Sequence, residues 1–154
     1  MFAVPDNTVV EPGSGSAPRH PVRVAMDFAA ERERWRDLLR YDPSERFAVL
    51  VESGTDQEVW LMSWLPGQGT DIHDHGDTSG AFTVVNGRLT EVVARRRLTD
   101  ELDVDGVHTH VLDAGQSRVF GPGYAHRMRN DGPDPAVSIH VYRYGSRTVR
   151  SLRD

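Results

Sequence analysis

Two residue types are missing from this chain altogether: its 154 residues include no cysteine and no lysine. Without cysteine there is no disulfide framework, no thiolate metal site, no cysteine nucleophile and no cysteine-based crosslink. Without lysine, Schiff-base and lysine-base chemistry are excluded. All 18 basic residues are arginine, which codon bias explains without a mechanism. A basic excess is also lacking: 18 basic against 23 acidic residues leave a formal net charge of −5. That balance argues against a general phosphate-backbone binder, so no nucleic-acid partner is expected. No apolar run approaches the ~20 residues of a membrane-crossing helix. The opening stretch MFAVPDNTVVEPG has neither the basic nor the continuous apolar region of a signal peptide. What is left is the expectation of a soluble, cytoplasmic, single-domain protein, a monomer or homodimer, with 38% hydrophobic residues to build one core.

Residues 1–22 hold Pro5, Pro12, Pro18 and Pro21 together with Gly13-Ser14-Gly15-Ser16. Such a segment buries little, and a flexible tail is expected there, followed by one domain over residues 23–154. Between Phe28 and Arg40, Trp35, Leu38 and Leu39 stand at i, i+3 and i+4, which predicts a single amphipathic helix stopped by Pro43. Beyond Pro43 the apolar period shortens to two. Strands are expected over 47–52, 58–65, 80–86, 88–97, 107–112, 117–120, 125–130 and 136–144, with turn signals between them such as Pro66-Gly67, Asp105-Gly106 and Gly121-Pro122-Gly123. Eight short strands without interleaved helices imply an all-β sandwich or barrel. Asn86-Gly87 is the strongest hairpin signal, because a type I′ turn needs positive φ at both central residues. Arg95-Arg96-Arg97 reads as a solvated strand end; as a nucleic-acid patch it would lack an aromatic platform.

Seven histidines carry the chemical signal. His20 falls in the tail and is discounted. In His73-Asp74-His75 the two imidazoles are at i and i+2, so on a strand both project from one face and converge. A third ligand has to come from a facing strand, and His126, which opens a strand just after Gly121-Pro122-Gly123, is the candidate. His108-Thr109-His110 has the same spacing without that frame of turns, and both are read as surface residues. A bare pair of alternating histidines is most often a polar strand face; the frame raises His73 and His75 above that.

The frame itself resembles a known pattern. Gly67, five residues, His73-x-His75, four residues, Gly80, six residues, Gly87 is similar to the first cupin motif. Gly115, five residues, Gly121-Pro122-Gly123, two residues, His126, three residues, Asn130 is similar to the second. The glutamate that is usually the fourth ligand of the first motif is here Gly80. A His-x-His pair without that glutamate, with His126 following, resembles the thiol dioxygenases, whose best-known members are the cysteine dioxygenases. Further matching segments are Trp60-Leu-Met-Ser-Trp64-Leu-Pro-Gly67, the stretch from Gly80 to Glu91, and Ser138-Ile-His140-Val-Tyr142. The resemblance covers roughly residues 45–151 and implies a cupin jelly-roll barrel behind a short N-terminal helical segment.

The resemblance also implies a function: oxidation by O2 of a small thiol carboxylic acid, cysteine foremost, to its sulfinic acid. It implies Fe(2+) held by His73, His75 and His126; by residue type alone the site suits zinc, iron, copper or nickel equally. Ser138, His140 and Tyr142 would form a relay beside the iron, and strand alternation puts all three on one face. A tyrosine–cysteine crosslink known in the family is impossible, because Gly80 occupies the cysteine's position. The family's carboxylate-binding arginine falls at Ala48 or Leu50, which leaves Arg46 and Arg150 as alternative substrate clamps. Trp64 and Met62 are expected to fill the barrel. Three other readings stay open: 3-mercaptopropionate as the substrate, a non-catalytic cupin binding a metal or metabolite, and a zinc hydrolase or isomerase drawing its base from Asp74, Asp77 or Glu91.

Overall fold

The computed structural model describes residues 19–96, 102–144 and 147–151. The expected tail therefore lies outside the described residues as far as Pro18. Its last two residues do not belong to a tail at all, because the one α-helix among the described residues, α1, spans Pro21–Ala30. Pro21 takes the first helical position, where its fixed φ suits the helix and its missing N–H loses nothing. The His20 ring accepts from Val22 N–H at 3.1 Å and so satisfies one of the orphaned donors of the first turn. Pro21, Ala25 and Phe28 form the buried face.

The helix expected over residues 28–40 is thus corrected: it starts earlier and ends at Ala30. Two short 3-10 turns, Arg32–Arg34 and Arg36–Leu38, replace its predicted body. The reason lies in Trp35, which folds back under α1, is 2% exposed and donates its indole N–H to the Phe28 carbonyl at 2.7 Å. Leu38, placed on the same apolar face by periodicity, is 39% exposed.

Ten strands follow: β1 Phe47–Ser53, β2 Gln57–Trp64, β3 His73–Gly76, β4 Gly80–Asn86, β5 Arg88–Arg96, β6 Leu102–Asp113, β7 Ser117–Phe120, β8 Ala125–Arg129, β9 Ala136–Arg143 and β10 Arg147–Ser151. They form two antiparallel five-stranded sheets, ordered β1-β2-β9-β4-β7 and β10-β3-β8-β5-β6. This is the jelly roll that the strand count implied. Asn86-Gly87 does not close a hairpin. β4 pairs with β7 and β9 while β5 pairs with β6 and β8, so the turn carries the chain from one sheet to the other. Gly87, at φ 76°, is needed for packing as well as for conformation: a Cβ there would lie 2.6 Å from the Pro135 carbonyl oxygen and 2.9 Å from Ala136 Cα.

The central strands of the first sheet are covered on both faces. Val59 and Leu61 of β2, with Val137, Ile139 and Val141 of β9, pack outward against α1 and Trp35. The alternate residues Met62 and Trp64 pack into the barrel with Phe82, Val84, Leu89, Leu112 and Met128. By the same alternation Ser138, His140 and Tyr142 turn inward. None of the described helices is long and apolar enough to cross a membrane.

Candidate metal centre

β3 is only four residues long, yet it delivers two of the three histidines. His73 and His75 share its inner face, and the β3–β8 register sets His73 directly opposite His126. The candidate ligand nitrogens of the three rings lie within 4.8 Å of one another. His75 and His126 are buried and His73 is half-buried. Asp74, between the pair, turns away and accepts from Gly76 N–H at 2.9 Å.

Two of the rings have their outer nitrogen committed. His73 Nδ1 sits 2.8 Å from the Asp71 carbonyl, and His126 Nδ1 sits 2.7 Å from Glu91 Oε2. A carbonyl and a carboxylate only accept, so both Nδ1 atoms carry hydrogen and both Nε2 atoms are left as lone-pair donors. Burial, followed by the neighbouring His126, pushes the His73 pKa down, which keeps its ring neutral as a metal ligand must be. The donor set therefore fits a divalent ion of the imidazole-preferring kind.

No carboxylate joins the three rings among the described residues. Gly80, at the position of the missing glutamate, shows why. A Cβ there would run into the Val141 carbonyl and the Phe120 ring, and Phe120 itself stacks on His75 with centroids 5.5 Å apart. Gly80 pairs across the ladder with Tyr142, so the crosslink position is filled from β7 by Phe120.

The inward face of β9 forms the neighbouring wall. Trp64 donates its indole N–H to Ser138 Oγ at 2.9 Å, and Ser138 Oγ lies 2.8 Å from His140 Nε2. Burial, reinforced by Arg46 and the three clustered histidines, holds the His140 pKa well below its ordinary value and keeps the ring neutral. The His140 and Tyr142 rings stack at 6.3 Å, and Tyr142 reaches His75 with centroids 4.7 Å apart.

A cavity of about 500 Å³ opens onto His73, His75 and Tyr142. Arg46, just ahead of β1, and Ala48, two residues on, both line it. The Arg46 guanidinium lies 5.4 Å from the Trp64 ring centroid and donates to Met62 Sδ at 3.2 Å, a weak acceptor that leaves most of its N–H groups for other partners. Met62 therefore lines the cavity as well as packing the barrel, and Trp64 supports Ser138 as well as filling space. Arg150 is placed by the β10–β3 register opposite Asp74, between the two histidines of β3. His108, exposed on the edge strand β6, pairs with Val93 on the side of β5 away from His126. The carboxylates lining the cavity are Glu45, Glu58 and Asp71, not the Asp74, Asp77 and Glu91 singled out from the sequence.

Glu91 is the residue whose place the sequence reading missed. It is fully buried; Oε2 accepts from His126 and from the Tyr124 hydroxyl at 3.0 Å, and Oε1 from Arg118 Nε at 3.1 Å. Burial alone would raise its pKa, but these donors outweigh that and hold it below the usual carboxylate range. Tyr124 is pushed up to about 12, by burial and then by Glu91, and stays a donor. A signal was present: Glu91 lies two residues after Leu89 and so shares its inward face.

Two sheets closed around a three-histidine cluster define a cupin, a double-stranded β-helix, with a candidate metal centre. The chain belongs to the cysteine dioxygenase type I family, whose sequence model matches residues 20–153. Cysteine dioxygenase type 1 of Danio rerio is 26% identical over 121 residues, which cover 75% of this chain and 59% of that protein. The Bos taurus protein of the same name is 23% identical over 125 residues, covering 79% and 62%. The chain thus spans about three fifths of the length of these curated relatives. Among solved structures, an uncharacterized conserved protein with a double-stranded β-helix domain from Klebsiella pneumoniae is similar at a TM-score of 0.62 and 22% identity, covering 77% of this chain and 94% of that one. That likeness concerns the fold.

Proposed function

We propose that this chain is an iron(II)-dependent thiol dioxygenase that converts a small thiol carboxylic acid, cysteine foremost and 3-mercaptopropionate as a close variant, to its sulfinic acid with O2. The observation that carries the reading is a three-histidine cluster, joined by no carboxylate among the described residues, opening onto the cavity that also holds Tyr142 and Arg46. Family membership supports the reaction class. His73, His75 and His126 hold the ion, whose contribution when bound is to acidify a thiol and offer open positions beside it.

The remaining steps belong to the chain's own residues. Arg46 shares a face with Ala48, where the family's carboxylate-binding arginine is expected, and its long side chain reaches the same cavity. It receives the substrate carboxylate; Arg150, the other arginine the sequence offered, is set by the β10–β3 register opposite Asp74, on the face away from the histidines. Tyr142 orients the substrate from the β9 wall, and Trp64, Ser138 and His140 fix that wall. The stoichiometry is closed: one thiol and one O2 give one sulfinic acid, both oxygen atoms ending on sulfur. The reading includes a cytoplasmic monomer or homodimer.

Anaerobic reconstitution with ferrous iron, an O2-uptake screen over several thiols and mass spectrometry of the products test it. The expected result is about one iron per chain and a product heavier by two oxygens. Stoichiometric zinc with no O2 uptake would remove the reading.

A further inference from the structure

We infer that Glu91 is the positioning residue of this metal centre: clamped by Arg118 and Tyr124, it fixes His126 with Nε2 toward His73 and His75 and lends the centre a negative charge through the ring. The inference rests on the metal reading above and extends it from the ligands to what stands behind them.

A carboxylate with no exposed surface survives only if its oxygens are fully engaged. Here the donors converge on β5 from three places: Arg118 on β7, Tyr124 in the turn that follows, and His126 on β8. Arg118 also reaches the Tyr124 hydroxyl, Nη2 to oxygen at 3.3 Å, which ties the two donors to each other. His73 has a backbone carbonyl behind it, whereas His126 has a carboxylate. The charge balance explains why this matters. Three neutral imidazoles leave a divalent ion uncompensated, and Gly80 has no room for a side chain that could bring a carboxylate. An anion behind a ligating imidazole raises the ring's basicity and fixes its tautomer, and loss of such a partner typically weakens metal binding 10–100-fold.

The test compares wild type, Glu91→Gln and Arg118→Met. Cobalt(II) affinity is read by competition with a chromophoric chelator, and the iron(III)/iron(II) midpoint potential of the loaded protein by spectroelectrochemistry. Glu91→Gln is expected to bind cobalt about 10–100-fold more weakly and to move the potential upward, since an anion is lost. Arg118→Met removes the opposing cation while leaving Glu91 in place, so its potential is expected to move downward. A structural role would not give opposite signs. Potentials that shift in the same direction, or variants that bind cobalt within about twofold of wild type with unmoved potentials, would overturn the inference. If Glu91→Gln does not fold, the sign of the Arg118→Met shift alone decides. Wild-type protein that binds neither cobalt nor iron would sink the metal reading itself and this inference with it.

Discussion

His126 and His108 both pair with Val93, one on each side of β5, so they stand in one row of the sheet about 10 Å apart by two strand spacings. Only His126 lies against β3 and its two histidines. His126→Ala is therefore expected to abolish stoichiometric metal binding and His108→Ala to leave it unchanged; equal losses in a metal titration would remove His126 from the ligand set. Arg46→Met is expected to lower kcat/KM for thiol acids about 10–100-fold, the worth of a charge-assisted carboxylate contact. A thiol without a carboxylate should be turned over at an unchanged rate, and a uniform loss across both would count against the clamp. Tyr142→Phe should slow O2 uptake while leaving the metal content intact, and an unchanged rate would demote the tyrosine. The histidines were legible in the sequence because i, i+2 spacing on a strand is a face. For Glu91 alternation with Leu89 signals only an inward face; its partner His126 is set by the pairing of β8 with β5, which the sequence does not show.

At the scale of the element, periodicity located the strands well and the helix poorly. β2 and β9 read clearly because they alternate, even though both of their faces end up covered. β10 carries the segment Arg-Thr-Val-Arg-Ser, which has no apolar alternation to detect. The i, i+3, i+4 pattern of Trp35, Leu38 and Leu39 pointed to a helix that a single tertiary contact overrides. Trp35 gains more by turning under α1, where its ring is buried and its N–H satisfied, than by continuing a regular turn. Trp35→Ala should accordingly destabilise the fold by about 3–5 kcal/mol in denaturant unfolding, as loss of a fully buried large aromatic does. A change within ~0.5 kcal/mol, the usual range for a surface substitution, would place the residue outside the core. The Asn86-Gly87 signal failed for the opposite reason: Gly87 does take a positive φ, but Asn86 stays in β4 and the two strands part between two sheets, which a local turn signal cannot foretell.

For the molecule as a whole, the barrel interior gathers His73, His75, His126 and His140 close enough for each to feel the others' charge. Burial is the leading cause of the lowered pKa at both His73 and His140, and at His140 the Arg46 guanidinium comes next, followed by the three clustered histidines. In the unfolded chain each of these rings takes up a proton near pH 6.5, whereas in the folded metal-free protein it does so only at lower pH. Below about 6.5 the unfolded state thus binds more protons than the folded one, and stability falls with falling pH by up to ~1.4 kcal/mol per pH unit for each such ring. Above that range this contribution is fully present and flat. Glu91, held below the ordinary carboxylate range, adds its own loss only at more acidic pH. Denaturant unfolding of the metal-free protein at pH 7.5, 6.5 and 5.5 should therefore show a decline confined to the lower interval. His140→Gln should flatten that decline by about one proton's worth, whatever it does to stability at neutral pH. A variant whose slope matches that of wild type would mean that the buried ring beside Ser138 takes its proton as readily in the barrel as in water.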